Sequence, residues 1–124
     1  MNILEIIYNI LQPQLTIPNM YAGTAAGDTS ASDGLLTYWQ LPGSGINFAS
    51  GMSNTQIQFD IWHRDIYDSD TYKEELIAVL LGLAGVYDGK AMIFTIESDL
   101  GNIHEDESQI WHSAILVNIK YARR

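Results

Sequence analysis

The sequence predicts an α+β domain with an about four-stranded, mainly antiparallel sheet. Two helices lie on one face, and the element order is α-β-β-α-β-β. Three observations carry this. Apolar residues recur at helical spacing in two stretches. One segment, Thr55 to His63, alternates apolar and polar residues as a half-buried strand must. Three further apolar runs are bounded by Gly, Pro, Asp or Ser, the residues that end strands.

The first helix is expected over 2–12. Ile3, Ile6, Ile7, Ile10 and Leu11 make one apolar stripe, and Pro13 stops the pattern. The opposite face carries Asn2, Glu5, Asn9 and Gln12. A membrane-surface helix would want Lys or Arg there, and a bilayer span needs about 20 apolar residues. The helix is therefore expected to pack on the domain.

Residues 13–34 lose both periods. Leu15, Ile17, Met20 and Tyr21 are anchors for a short extended piece near 15–21, and mobile loops are expected at about 22–34 and 43–53, rich in Gly and Ser. Between them Leu35–Leu41 (LLTYWQL) reads as a strand. In 55–63, Ile57, Phe59 and Ile61 face one way and Gln56, Gln58, Asp60 and Trp62 the other. Asp68, Ser69, Asp70 and Thr71 are N-cap candidates, with Thr71 and Glu74 at capping-box spacing. Tyr72, Leu76, Val79, Leu80 and Leu83 then mark a helix over about 69–85, with Gly85 as its C′ residue. Asp88-Gly89 is a turn, 91–98 a third strand, 99–107 an acidic loop and 110–121 a fourth strand. The core face should collect Ile57, Phe59, Ile61, Trp111, Ile115, Val117 and Ile119.

Composition narrows function. The 124 residues are 47% hydrophobic, which suits one globular domain. Six basic residues face 15 acidic ones, for a net charge of −9. Such a surface repels phosphate backbones and anionic membranes. Without cysteine there is no disulfide, thiol catalysis or thiolate metal site.

Site chemistry is sparse. His63, His104 and His112 form no metal-ligand spacing. The string His104-Glu105-Asp106-Glu107 lacks the alternation and central Gly of a calcium loop. Asp65, Asp68 and Asp70 sit where a helix N-terminus wants anions. Gly43-Ser44-Gly45 is no nucleophile elbow, and the nearby glycines make no phosphate loop. The expectation is no catalysis, no cofactor and no metal. What stands out is an apolar outer sheet face, with Trp62, Ile110, Ala114 and Leu116 where an open antiparallel sheet should be polar. That points to a subunit or partner interface.

Residues 35–121 resemble the tail terminator, or tail-completion, family of long-tailed bacteriophages, the minor tail protein U type included. The likeness is carried by Leu35-Leu36-Thr37-Tyr38-Trp39-Gln40, by Ile57-Gln58-Phe59-Asp60-Ile61-Trp62-His63, by the helix opening Tyr67-Asp68-Ser69-Asp70, and by Trp111-His112-Ser113-Ala114-Ile115-Leu116-Val117. The resemblance implies a non-enzymatic virion protein at the head-tail junction, assembled in the host cytoplasm. It implies a homo-oligomeric ring of six copies that ends tail-tube polymerisation. Its partners would be the tail tube protein and a neck or head-completion protein, with DNA passing through unbound. Another neck or head-completion protein, and a small dimeric α+β ligand-binding module or enzyme, are the readings left beside it. In a ring, Asp99, Glu105, Asp106, Glu107, Asp65 and Asp68 are the candidates to face the channel, because acids there would not hold DNA.

Overall fold

The computed structural model describes residues 2–23, 34–41, 45–47, 52–105 and 109–122. The chain runs α1 (Ile3–Leu11), β1 (Asn19–Ala22), β2 (Leu35–Gln40), β3 (Gly45–Asn47), β4 (Met52–His63), α2 (Ile66–Leu80), β5 (Ala84–Tyr87), β6 (Lys90–Glu105) and β7 (Ile110–Ala122). The sheet order is β1-β2-β4-β7-β6-β5, with β3 paired to the start of β4. The expected four strands are thus all present, but three short ones join them and the order becomes α-β-β-β-β-α-β-β-β. The sheet is also mixed, because β1 runs parallel to β2.

Helix α1 begins at Asn2, whose Oδ1 accepts from the Glu5 N–H at 2.9 Å. Its buried stripe is Ile6, Ile7, Ile10 and Leu11. Helix α2 begins earlier than expected, with Asp65 as N-cap accepting from the Tyr67 and Asp68 N–H groups. Thr71 makes no capping box; its hydroxyl donates to the Tyr67 carbonyl. The helix also ends earlier. Gly82, not Gly85, takes the left-handed position at φ +70°. Residues 84–87 then become β5. Asp88 and Gly89 both have positive φ, at 51° and 75°, which matches the primed two-residue hairpin turn that joins β5 to β6.

Both helices pack on one sheet face. Their Ile6, Ile7, Ile10, Leu11, Leu76 and Leu80 share one core with Leu36, Tyr38, Ile57, Phe59, Ile61, Met92, Phe94, Ile115, Val117 and Ile119. Of the expected core residues only Trp111 is elsewhere; it is half-buried against the His104 ring at 4.8 Å. The segment after α1 is tied to α2, where Glu75 accepts from the Thr16 N–H at 3.0 Å and from its hydroxyl at 2.7 Å. At the other end of α2, the buried Ser69 and Ser113 hydroxyls lie 3.3 Å apart. The strands at 55–63 and 91–98 are not neighbours, since β7 lies between them.

Two expectations on loops need correction. Residues 99–105 are not a loop; they continue β6 against β7, with register shifts between Ile96 and Ser98 and between Asp99 and Asn102. Bulges hide a strand from a period-2 reading, because each extra residue flips the alternation. The mobile loops expected at about 22–34 and 43–53 fall largely outside the described residues. Where they do not, Ala22 belongs to β1, residues 45–47 form β3, and 52–53 open β4.

Tyr38 gives the core a test. Its ring packs on Phe59 at 5.7 Å, yet its buried hydroxyl has no hydrogen-bond partner. Burial, with Tyr8 nearby, pushes its pKa up to about 12. A buried unpaired hydroxyl costs roughly 1–3 kcal/mol. Tyr38→Phe keeps the ring and removes the orphan, so urea unfolding should show unchanged or higher stability, by about 1 kcal/mol. A loss larger than that would mean the hydroxyl is bonded in solution.

Candidate functional site

The outer face of the β4–β7 pair carries the residues singled out from sequence. The register sets Trp62 beside His112, Asp60 beside Ala114 and Gln58 beside Leu116. Trp62, Ile110, Ala114 and Leu116 therefore share one face, as alternation requires. They are not equally available. Ala114 is only 8% exposed and is closed off within the chain, while Trp62, Ile110 and Leu116 are half-buried.

The centre of this face is Asp60, which the alternation in 55–63 set on the side away from Ile57, Phe59 and Ile61. It is fully buried, at 0% exposure. His112 Nε2 lies 2.5 Å from its Oδ1, and the Gln58 amide donates to both its oxygens. Trp62 stacks on the His112 ring, with centroids 3.8 Å apart and planes 7° from parallel. So a carboxylate inside a sheet face is held by an imidazole, and an indole shields the imidazole. This answers the usual cost of burying such a group. Beyond them, the Gln56 amide donates to Glu97 at 3.0 Å, across the face from β4 to β6.

The acidic candidates separate into different roles. Asp65 caps α2. Asp68 lies 3.7 Å from His63 Nε2, and His63 Nδ1 accepts from the Asp65 N–H. Asp99 meets the buried Lys73 Nζ at 3.2 Å, and Lys73 also lies 3.9 Å from Asp70. Asn102 donates to Asp70 at 2.9 Å. Asp65, Asp68 and Asp70 thus serve the α2 entry, and Asp99 clamps β6 to α2. Glu105 ends β6; Asp106 and Glu107 lie outside the described residues. Among the described residues no three His, Asp or Glu side chains are grouped to hold a metal. No described helix is long and apolar enough to cross a membrane.

Sequence reading missed the most exposed apolar side chains. Ile103 on β6 is 60% exposed, and its register position beside His112 and Trp62 extends the outer face. Val86 is 70% exposed, and Leu81, Ile93 and Leu100 are also open. The signal that would have found Val86 is Asp88-Gly89, since that dipeptide marks a hairpin and demands a strand before it. No sequence signal located Ile103, because the bulges disguise its strand.

No family model matches the sequence, and no curated protein matches it. Solved structures do match. One is a chain of the virion of a native gene transfer agent particle. It aligns at a TM-score of 0.72 over 96% of this chain and 93% of that one, at 6% identity. A second aligns at a TM-score of 0.60 over 98% and 96%, at 12% identity. Identities this low show a shared fold, and the coverage shows that it is shared from end to end.

The Asp99 clamp makes a prediction. The Gly101 N–H and then Lys73 hold the Asp99 carboxyl below its usual range of 3.8. A depressed carboxylate adds stability that is present above its unfolded pKa and lost as pH falls through the folded one. Stability should therefore fall on acidification below about pH 4, and Asp99→Asn should flatten that acid limb. At neutral pH the variant should lose under about 1 kcal/mol, because the carboxylate is partly exposed. Urea unfolding at several pH values checks both; an unchanged acid limb would contradict the assignment.

Proposed function

We propose that this chain is a structural virion protein of a phage-like particle, and that its place is the ring ending the tail tube at the head-tail junction. The observation that carries this is the end-to-end likeness to a gene transfer agent virion chain. The tail-terminator patterns in β2, β4, the α2 entry and β7 narrow it from virion protein to tube terminator. The surface supports the same reading. Trp62, Ile110, Leu116 and Ile103 offer apolar contact on one face. The buried Asp60, paired with the half-buried His112, is scaffolding for that face. The described acids cap, clamp or solubilise. The partners are further copies of the chain, the tail tube protein and a neck or head-completion protein.

Charge sets the conditions for assembly. Six copies would carry 6 × −9 = −54. Like charges on converging subunits repel, and salt screens them over about 8–10 Å near physiological strength. Purified chain should therefore associate more strongly as salt rises, and negative-stain images should show closed rings. Mixed with tail tubes from the same particle, it should sit at one tube end and stop elongation. A chain that stays monomeric at every salt concentration and leaves tube growth unchanged would refute the reading.

The acidic residues extend the proposal to the channel. At least one of the groups Asp65/Asp68 and Asp99/Glu105/Asp106/Glu107 faces the DNA path, where carboxylates do not retain phosphates as Lys or Arg would. Substituting Asp99, Glu105, Asp106 and Glu107 with Asn or Gln should leave rings intact and slow DNA passage, most at low salt. Unchanged passage, with these residues facing the channel in a ring reconstruction, would refute it.

A further inference from the structure

Among the described residues the strand order ends in β1 on one side and β5 on the other, and neither has an outer partner strand. Strand directions follow from the pairings: β1 is parallel to β2, and each later step along β2-β4-β7-β6-β5 is antiparallel. Four reversals bring β5 back to the direction of β1. A second copy that continues the sheet with its helix-covered face on the same side would therefore present its β1 parallel to the first copy's β5.

The hydrogen-bonding polarity agrees. The Gly23 N–H donates to the Tyr38 carbonyl at 2.7 Å, so residues 19, 21 and 23 point their backbone groups at β2. Met20 and Ala22 point theirs outward. The Phe94 N–H donates to the Leu83 carbonyl at 2.9 Å, so residues 83, 85 and 87 point at β6. Ala84 and Val86 point outward. Met20 and Ala22 lie on the helix-covered face, as their pairing with Leu36 and Tyr38 shows. Ala84 and Val86 lie on the opposite face, since their neighbour Gly85 pairs with the core residue Met92. In a parallel ladder an outward-pointing residue sits opposite one that points away from it. Of the registers with this parity, the one that overlaps both four-residue strands fully sets Met20 opposite Gly85 and Ala22 opposite Tyr87, all on the helix face, with Tyr21 opposite Val86 on the outer face. Antiparallel pairing would join the helix face of one copy to the outer face of the next.

The chemistry of the edges agrees as well. Natural edges are guarded by charges, bulges or Pro. The part of β6 that lies beyond β5 has such guards: two register shifts, Glu97 and Asp99. Neither β1 (Asn19-Met20-Tyr21-Ala22) nor β5 (Ala84-Gly85-Val86-Tyr87) carries a charge. In a chain of net charge −9, two uncharged edges at opposite ends of one sheet are where copies can meet without repulsion. Each edge is flanked by a groove against α1, lined by Ile10, Pro13, Tyr87 and Asp88 beside β5 and by Leu4, Glu5, Tyr8 and Met20 beside β1. A strand arriving at either edge has room for its helix-face side chains.

We infer that copies of this chain join by parallel strand addition, β5 of one to β1 of the next, so that one sheet runs around the ring. This rests on the ring reading above and names the contact that closes it, a heterologous one of the kind that makes rings.

The absence of cysteine makes the test clean. Tyr21 and Val86 are 40% and 70% exposed, so Tyr21→Cys with Val86→Cys should leave the fold intact. Neighbouring strands lie about 4.8 Å apart, so a short bismaleimide added to assembled rings should give a ladder of covalent multimers ending in a closed ring. Each single variant, and Tyr21→Cys paired with Ile103→Cys, should give none. In a second arm, Val86→Lys makes the chain less negative and so reduces general repulsion. It should nevertheless cut ring assembly at least tenfold, with an unchanged thermal melt of the free subunit. Rings that form but do not link through 21 and 86, or that survive Val86→Lys at parent abundance, overturn the strand contact and leave the ring reading standing. If the unsubstituted chain forms no rings, the ring reading fails and this inference fails with it.

Discussion

The register between β4 and β7 is the constraint on which the rest of this fold depends. It runs without a break from Met52 opposite Ala122 to His63 opposite Trp111. Side chains alternate faces along each strand, so one slip would exchange the two faces completely. In the observed register Ile57, Phe59 and Ile61 meet Val117, Ile115 and Ser113 under the helices. Asp60 and Trp62 meet Ala114 and His112 on the other side. A slip would put the Asp60 carboxylate into the aliphatic core and three large apolar side chains onto the outer face. Asp60 is thus a specificity element as well as a buried charge. Its partner His112, on β7, lies only on the face where Asp60 now lies.

Much of this was legible in the sequence. The alternation in 55–63 located β4 and its inward face, because strict period 2 has one physical meaning. The stripe Ile3, Ile6, Ile7, Ile10, Leu11 located α1, and Pro13 bounded it. The misses have particular causes. Residues 69–85 read as one helix because Tyr72, Leu76, Val79, Leu80 and Leu83 keep helical spacing through its true end. Leu83 does face the core, but from the segment that leads into β5. Residues 99–105 read as a loop because their acids and Gly101 resemble one, while the pairing with β7 is a tertiary fact. Strand β1 is four residues with no alternation, and only its neighbour β2 makes it a strand.

The candidate site was legible in a weaker sense. Sequence placed Trp62, Ile110, Ala114 and Leu116 on one face, and the register puts them there. It gave no hint that Ala114 is closed off, that Trp62 is engaged by His112, or that Ile103 joins them across β7. Trp62 and His112 lie 50 positions apart, and bulges disguise the strand that pairs Ile103 with His112, so no local pattern encodes either contact. The acidic residues show the same limit from the other side. Asp65 caps a helix, as its place before α2 implied, but Asp99, read as part of an acidic loop, serves a buried lysine.

Charge connects the fold to its assembly. With 15 acids against six bases, most of the surface discourages contact between copies. That repulsion selects where contact can happen. It leaves the uncharged edges of β1 and β5 and the apolar outer face around Trp62 and Ile103, which lie on different sides of the subunit. An edge-to-edge join orders subunits around an axis, while the outer face remains free for a different partner. On the proposed reading, in which the chain both closes on itself and caps a polymer, two such surfaces that do not compete are needed. The sheet supplies them because an edge bonds within its plane and a face packs along its normal.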